Sequence, residues 1–112
     1  MDVSAEDAVI GQLVAYNARD VNNFIRYFAS DVKIEDGAGN ILLSTKDELY
    51  AKYETMFASY PQLHCVVVNS MRVGQYAIDE EIISGREETP IHCIVEYTIN
   101  TANLIEKLRI LK

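Results

Sequence analysis

The chain has 112 residues, of which 49% are hydrophobic and 24% are charged, as is typical of one soluble globular domain with its own core. Its formal net charge is −7, from 17 acidic and 10 basic residues, and the basic residues are scattered along the sequence. Because contacts with phosphates need clustered Lys and Arg side chains, these features argue against nucleic acid and against an anionic membrane as partners.

The sequence also argues against membrane insertion. No apolar run approaches the roughly 20 residues that a spanning helix requires. The N-terminal sequence lacks the basic and apolar regions of a signal peptide. We therefore expect a cytoplasmic protein.

Two cysteines, Cys65 and Cys93, are too few for a disulfide framework. Each follows a histidine in a strand-like run, where neighbouring side chains point to opposite faces. One metal ion could therefore reach at most two of the four side chains, whereas a zinc site needs three or four protein ligands. We expect neither a metal nor a cofactor.

Helical periodicity describes the first part of the chain. Apolar residues recur at helical spacing from Ala5 to Asn17, and Ser4 is positioned to cap that helix. After the break at residues 17–20, Asp20 or Asn22 caps a short second helix. Its apolar stripe consists of Val21, Phe24, Ile25 and Phe28.

The stretch from Asp31 to Asn40 begins as an alternating strand and ends in a glycine-rich turn. Val32, Ile34 and Asp36 share one parity, so we expect Asp36 on the same face as two apolar residues. An aspartate there either caps the turn through its own backbone or is a buried acid with a chemical role. The pattern leaves both interpretations open.

The remaining elements are a helix and several strands. Residues 41–43 form a short strand, and the capping box Thr45-Lys-Asp-Glu48 opens a third helix that ends before Pro61. Beyond Pro61, a period of two predicts strands over 63–73, 76–84, 91–100 and 104–111. Helices followed by a meander of strands indicate an α+β domain. The acidic run of residues 79–81 is interpreted as a solvated edge.

Several of these strands are apolar on both faces. In the strand over 63–73, for example, Cys65 and Val67 oppose Val66 and Val68. An antiparallel sheet with one wet face would alternate more cleanly. Since the helices can cover only one side, we predict a homodimer through the other face of the sheet.

This order of elements resembles the nuclear transport factor 2-like fold, and within it the ketosteroid isomerases and SnoaL-like polyketide cyclases. The resemblance rests on Asn17-Ala-Arg-Asp20, Tyr27-Phe-Ala-Ser-Asp31, and Val32-Lys-Ile-Glu-Asp36 with its glycine turn. It extends over nearly the whole chain, with Gly85 and residues 104–109 fitting later strands. It implies one domain over residues 1–112. The domain would be a cone-shaped roll, with helices packed in the concave face of a strongly bent mixed or antiparallel sheet.

The resemblance also implies site residues. Asp36 falls on the position of the isomerase general base, and Glu96 on that of a protonated acid in the oxyanion hole; the isomerase pair is a known case of pKa tuning. Gln12 occupies the position of the tyrosine donor, for which Tyr16, one helical turn further on, could substitute. Glu96 shares a mixed strand face with His92, so it lies either in the pocket or on the surface.

The implied function is ketosteroid isomerase-like or SnoaL-like, with cofactor-free proton transfer on a small hydrophobic carbonyl compound. The predicted pocket wall consists of Val32, Ile34, Tyr53, Met56 and Phe57. The alternative is a non-catalytic module on the same scaffold, for binding a small ligand or for dimerisation.

Overall fold

The computed structural model describes residues 5–112, which form three helices and a six-stranded sheet. The elements are α1 (Ala5–Asn17), α2 (Val21–Ile25), β1 (Phe28–Asp36), β2 (Ile41–Leu43), α3 (Lys46–Ser59), β3 (His64–Val73), β4 (Tyr76–Ser84), β5 (Ile91–Ile99) and β6 (Ile105–Leu111). Every predicted helix and strand is present, which confirms the α+β class. The predicted Ser4 cap lies outside the described residues.

The prediction for Phe28 was wrong, because this residue opens strand β1 instead of extending the stripe of α2. The helix ends at Ile25, and the chain then pairs with β6. Phe28 lies opposite Ile105, whose backbone N–H donates to the carbonyl of Tyr27. Sheet hydrogen bonds thus replace the helical ones at this point.

The sheet is mixed, with the strand order β2-β1-β6-β5-β4-β3. Strands β1 and β6 run parallel, and the other neighbours are antiparallel. The register shifts between Val67 and Asn69 in β3, and again at three other places in the sheet. Such irregularities bend and twist strands, which lets the sheet curve around the helices.

The core lies between the helices and one face of the sheet. Tyr16, Phe24, Tyr53 and Phe57 from the three helices contact one another, with ring centroids 4.7 to 6.3 Å apart. Val32 and Ile34 of β1 are buried within this core. The core-facing surface is called the inner face below, and the opposite surface the outer face.

The end of α1 is fastened to the start of β3. The Asn17 side-chain amide donates to the carbonyl of Cys65 over 3.0 Å and accepts from its backbone N–H over 2.7 Å. Arg19, which adopts a positive φ of 52°, donates to the carbonyl of Leu63 over 2.9 Å. The end of α1 thereby holds the start of β3 at two positions. These contacts fix the orientation of α1 over the inner face.

Gly85 permits a close approach between the end of β4 and the chain before β3. Its φ is +82°, and a Cβ at this position would lie 2.1 Å from the carbonyl oxygen of Gln62. Any side chain would therefore push two backbones apart.

The outer face carries exposed apolar side chains, as predicted from the strand pattern. They include Val66, Ile78, Ile82 and Ile94. None of the three helices in residues 5–112 combines the length and the apolar character needed to cross a bilayer.

Candidate functional site

A cavity of about 580 Å³ opens between the inner face of the sheet and the helices. Its volume lies within the range of about 300–1,000 Å³ that is usual for small-molecule sites. The buried part of its wall comprises Gln12, Tyr16, Phe24, Met56, Cys65, Glu81, Ile91, Cys93, Val95, Tyr97 and Leu108. Its rim comprises the exposed Gly37, Ala38, Leu42, Lys52 and Lys112 together with the half-buried Asp36 and Arg86.

Three polar side chains form a hydrogen-bonded chain within this apolar wall. The Gln12 Nε2 of α1 donates to the Tyr97 hydroxyl oxygen of β5 over 3.2 Å, and also to the carbonyl of Val9 over 3.0 Å. The Tyr97 hydroxyl in turn donates to Glu81 Oε2 of β4 over 3.2 Å. All three side chains are buried, so this group is shielded from bulk water.

Glu81 is the buried carboxyl group of the cavity wall, and only 5% of it is exposed. Burial raises its pKa, since an ionised carboxylate loses hydration there, and the charge of nearby Asp79 raises it further. Hydrogen bonds from Cys65 and Tyr97 and the charge of Arg72 oppose the rise without cancelling it. A buried carboxyl with a raised pKa exchanges protons more readily near neutral pH than an exposed one.

Two tyrosines on the helices contribute further hydroxyl groups. Tyr16 and Tyr53 both line the cavity, and burial is the main cause that raises both pKa values, that of Tyr53 to about 12. Both phenols therefore remain protonated at neutral pH. No hydrogen bond from the described residues affects either group, so both hydroxyls are free to donate to a bound molecule.

Asp36 lies at the rim of the cavity, but its carboxylate serves the turn. Oδ1 accepts from the backbone N–H groups of Ala38 and Asn40, and Oδ2 accepts from the Asn40 side chain, each over 2.9 Å. The hydrogen bonds from Asn40 lower the pKa of Asp36, with smaller effects from the backbones of Ala38 and Gly39. The turn-capping interpretation therefore describes its contacts, although the residue also touches the cavity.

The structure places Glu96 on the surface, which is one of the two positions that the sequence left open. Odd-numbered residues of β5 face inward, so Glu96 lies on the outer face beside Tyr76, Lys107 and Arg109. Glu96 cannot reach the cavity that Gln12 and Tyr97 line, because the sheet lies between its side chain and that cavity. Its strand parity with His92 was the signal for this position.

Some residues of the predicted pocket wall line this cavity, and others lie in the core. Tyr53 and Met56 of α3 line the cavity, as do Gln12 and Tyr16 of α1. Val32, Ile34 and Phe57 do not line it; they are packed into the core below. A buried position on the inner face can meet another side chain as easily as open space, and periodicity does not distinguish the two.

The interpretation of residues 79–81 as a solvated edge was wrong. Asp79 and Glu81 are 1% and 5% exposed, and Asp79 pairs with Arg72 at 2.6 Å. Only Glu80 between them points outward, where it contacts His92 and Asn69. Asp79 and Glu81 share their strand parity with inward-facing Ala77, and this parity could have indicated their burial.

Both cysteines face the cavity from different strands. Cys93 of β5 lies opposite Glu81 of β4, and Cys65 of β3 lies opposite Ile83 of the same β4 strand. Burial raises both thiol pKa values, so the neutral thiol form is favoured. In the part of the chain that the structure describes, no cluster of three or more His, Cys, Asp or Glu side chains could hold a metal ion.

Known proteins share this architecture. A cystatin-fold protein of Novosphingobium aromaticivorans matches with a TM-score of 0.89 and 19% identity, over 99% of this chain and all of the other. A proposed polyketide cyclase of Sinorhizobium meliloti matches with a TM-score of 0.79 and 21% identity, over 93% of each chain. A computationally designed 17-OHP binder matches with a TM-score of 0.81 and 16% identity, over 96% of this chain and 91% of its own.

At these identities the likeness concerns the fold alone. No match to a curated protein was found. The family model for the SnoaL-like domain matches residues 9–106, which is most of the chain and includes Gln12, Asp36, Glu81 and Tyr97. The chain belongs to the SnoaL-like domain family.

Proposed function

We propose that this protein binds a small hydrophobic carbonyl compound in its cavity and transfers a proton on it without a cofactor. The observation that carries the proposal is the buried Glu81 carboxyl, joined to Tyr97 and Gln12 within an otherwise apolar wall. Abstraction of a proton next to a carbonyl group needs a base of moderate strength in a partly desolvated place. Glu81 meets both conditions.

In this mechanism Glu81 is the general base. Its carboxylate removes a proton from the carbon beside the carbonyl group, which leaves an enolate, and the resulting carboxylic acid returns the proton to another carbon. The Tyr97 hydroxyl holds the carboxylate in place through its 3.2 Å hydrogen bond. Gln12 in turn orients that hydroxyl, because its Nε2 donates to the hydroxyl oxygen.

The enolate oxygen needs a hydrogen-bond donor, and Tyr16 is the proposed one. The amide hydrogens of Gln12 are directed to Val9 and Tyr97, so Gln12 has no donor left for a ligand. The Tyr16 hydroxyl lines the cavity and stays protonated, since burial raises its pKa. A neutral phenol in a low-dielectric site stabilises developing negative charge without losing its own proton.

Asp36 is the competing candidate for the base, as the family resemblance implies. Its carboxylate already accepts three hydrogen bonds from its own turn. These bonds stabilise the charged form and weaken it as a base, as the lowered pKa of Asp36 expresses. Asp36 would then shape the rim of the cavity.

Isomerisation of a β,γ-unsaturated cyclic ketone to its conjugated isomer tests both assignments, followed by the ultraviolet absorbance of the product. Glu81→Gln should lower kcat about 100-fold or more. Asp36→Asn should change it little if the turn still forms. Glu80→Gln is the matched control, since it makes the same chemical change one residue away on the outer face. Loss of activity in Asp36→Asn but not in Glu81→Gln would exchange the two roles.

A second candidate function is ligand binding without catalysis. It is favoured by the internal pairing of Gln12, Tyr97 and Glu81, which satisfies these groups in the absence of any ligand. The similar designed protein that binds 17-OHP supports the use of this fold as a binding scaffold. A folded wild-type protein that binds the ketone without isomerising it would support this function.

We also propose a homodimer through the outer face of the sheet. Val66, Ile82 and Ile94 lie on neighbouring strands there and are 48%, 36% and 44% exposed. Sedimentation velocity should give a mass twice that of one chain. Ile82→Glu should shift it to the monomer, whereas Val14→Glu on the exposed side of α1 should not. A monomeric wild type at micromolar concentration would refute the dimer.

A further inference from the structure

Three basic side chains meet at the opening of the cavity. Lys52 comes from α3, Arg86 from the loop between β4 and β5, and Lys112 follows β6. All three line the cavity, and Lys52 and Lys112 are exposed at its rim. They are three of only 10 basic residues in a chain with a net charge of −7.

These cations are close together, and no ion pair among the described side chains, those of residues 8–112, neutralises them. The ion pairs there involve Arg72, Lys107 and Arg109, and a hydrogen bond joins His92 to Glu80; none of these contacts includes Lys52, Arg86 or Lys112. The pKa of Lys52 is lowered by burial first, and then by the charges of Arg86 and Lys112. Like charges that repel one another and form no ion pair favour an incoming anion.

Neither acidic group of the cavity, Asp36 or Glu81, acts as the counter-ion of these three cations. Asp36 is at the rim and carries a negative charge, but among the described side chains it forms no ion pair with the three cations, and its two oxygens accept hydrogen bonds from its own turn. Glu81 lies deeper, where its carboxyl is bonded to Tyr97. The positive charge of Arg86 also extends inward, since it lowers the pKa values of Tyr16 and Tyr53 against the larger effect of burial.

We propose that the ligand of this cavity is an amphipathic anion, whose apolar body fills the interior and whose acidic group lies at the rim between Lys52, Arg86 and Lys112. The proposal rests on the proposed function and adds to it the charge and the orientation of the ligand. The guanidinium group of Arg86 can bind a carboxylate or sulfonate with two parallel hydrogen bonds, and the two ammonium groups add further attraction. The end of the ligand remote from the charge then lies near Glu81.

Two fluorescent probes separate the ionic contribution from the apolar one. N-Phenyl-1-naphthylamine is neutral, and 8-anilinonaphthalene-1-sulfonate has the same aromatic skeleton with one sulfonate. Arg86→Gln should raise the Kd of the sulfonate about 5- to 10-fold, and Lys52→Gln and Lys112→Gln about 2- to 5-fold each. The Kd of the neutral probe should stay within about 2-fold of the wild-type value. Lys33→Gln, which removes an exposed charge from β1, is the matched control and should change neither Kd.

A blocked cavity distinguishes binding inside from binding on the outer face. Cys93→Trp and, in a second variant, Val95→Phe place larger rings at buried wall positions, and whichever stays folded by circular dichroism should lose both probes. The anion proposal is overturned if none of the three substitutions changes the Kd of the sulfonate probe, or if they change the Kd values of both probes equally. Either result would leave the apolar pocket in place. If the folded wild type does not bind the neutral probe, the proposed function itself loses its basis.

Discussion

Replacing Glu81 with glutamine should change the pH dependence of stability in a direction that is set by burial. The Glu81 side chain is inside the cavity wall, and its pKa is raised above the ordinary value of 4.5, first by burial and then by Asp79. Between pH 4.5 and the folded-state pKa, the folded chain therefore holds a proton that the unfolded chain has released. The contribution of Glu81 to stability is fully present below pH 4.5 and is lost as the pH rises through the folded-state pKa.

The size of the effect follows from proton counting. One proton held by the folded state alone lowers the free energy of unfolding by up to about 1.4 kcal/mol for each pH unit in that interval. The glutamine side chain of the Glu81→Gln variant cannot titrate, but it keeps an oxygen that can accept the hydrogen bond from Tyr97. The variant should thus gain stability relative to the wild type as the pH rises, from a starting difference of about 1 kcal/mol at low pH.

Urea unfolding followed by circular dichroism, at a series of pH values from about 4 to about 8, measures this difference. Protein concentration must be constant, because a dimer would make stability concentration-dependent. The pKa values of Asp36 and Glu35 are lowered in the folded chain. Their contributions to stability therefore change in the opposite direction and are lost as the pH falls. They are present in both proteins, so their contributions cancel in the difference.

The neighbouring residue supplies a control of opposite sign. Hydrogen bonds from Asn69 and His92 lower the pKa of Glu80, so its contribution is present above pH 4.5 and is lost as the pH falls. Glu80→Gln should therefore lose stability relative to the wild type at neutral pH and approach it in acid. A pH-independent difference between Glu81→Gln and the wild type would refute the burial argument. A Glu81→Gln variant that lost stability relative to the wild type as the pH rose, as is expected for Glu80→Gln, would also refute it.

Three further substitutions test the fold around the cavity by urea unfolding at neutral pH, and a fourth serves as a matched control. Gly85→Ala should cost more than about 2 kcal/mol, because a Cβ 2.1 Å from the Gln62 carbonyl adds a clash to the positive φ. The control, Gly39→Ala, has a similar φ of 87° but open space, so it should cost only about 1 kcal/mol, and equal losses would contradict the clash. Asn17→Ala should cost about 1–3 kcal/mol, since two hydrogen bonds to β3 are lost, and a negligible loss would show that packing alone holds α1. Tyr97→Phe should also cost about 1–3 kcal/mol, as it removes one hydrogen bond from each of two buried polar partners, and an unchanged stability would place water in the network.

Local patterns in the sequence are sufficient to predict the secondary structure. Caps such as Asp20 and Thr45 accept hydrogen bonds from residues within one helical turn, so their role depends only on nearby positions. Strand periodicity likewise assigns each residue to a face, which is why the outward position of Glu96 was among the predicted alternatives. The turn at Asp36 is also local, since its partners lie two and four residues away.

The cavity depends on residues that are far apart in the chain. Gln12 and Tyr97 are separated by 85 positions, and Tyr97 and Glu81 by 16. Their contact requires the register of β4 on β5 and the angle at which Asn17 holds α1 over the sheet. No local pattern contains that information, so the sequence does not show that Glu81, Tyr97 and Gln12 meet in one cavity.

The sequence by itself determined the order of the elements, the α+β class and the family resemblance, because these depend on periodicity, capping and local motifs. Only the tertiary structure decided that Glu81 is the buried carboxyl of the cavity. It also decided that Lys52, Arg86 and Lys112 share one rim. Burial and charge proximity depend on distances between remote residues, and those distances exist only in the folded chain.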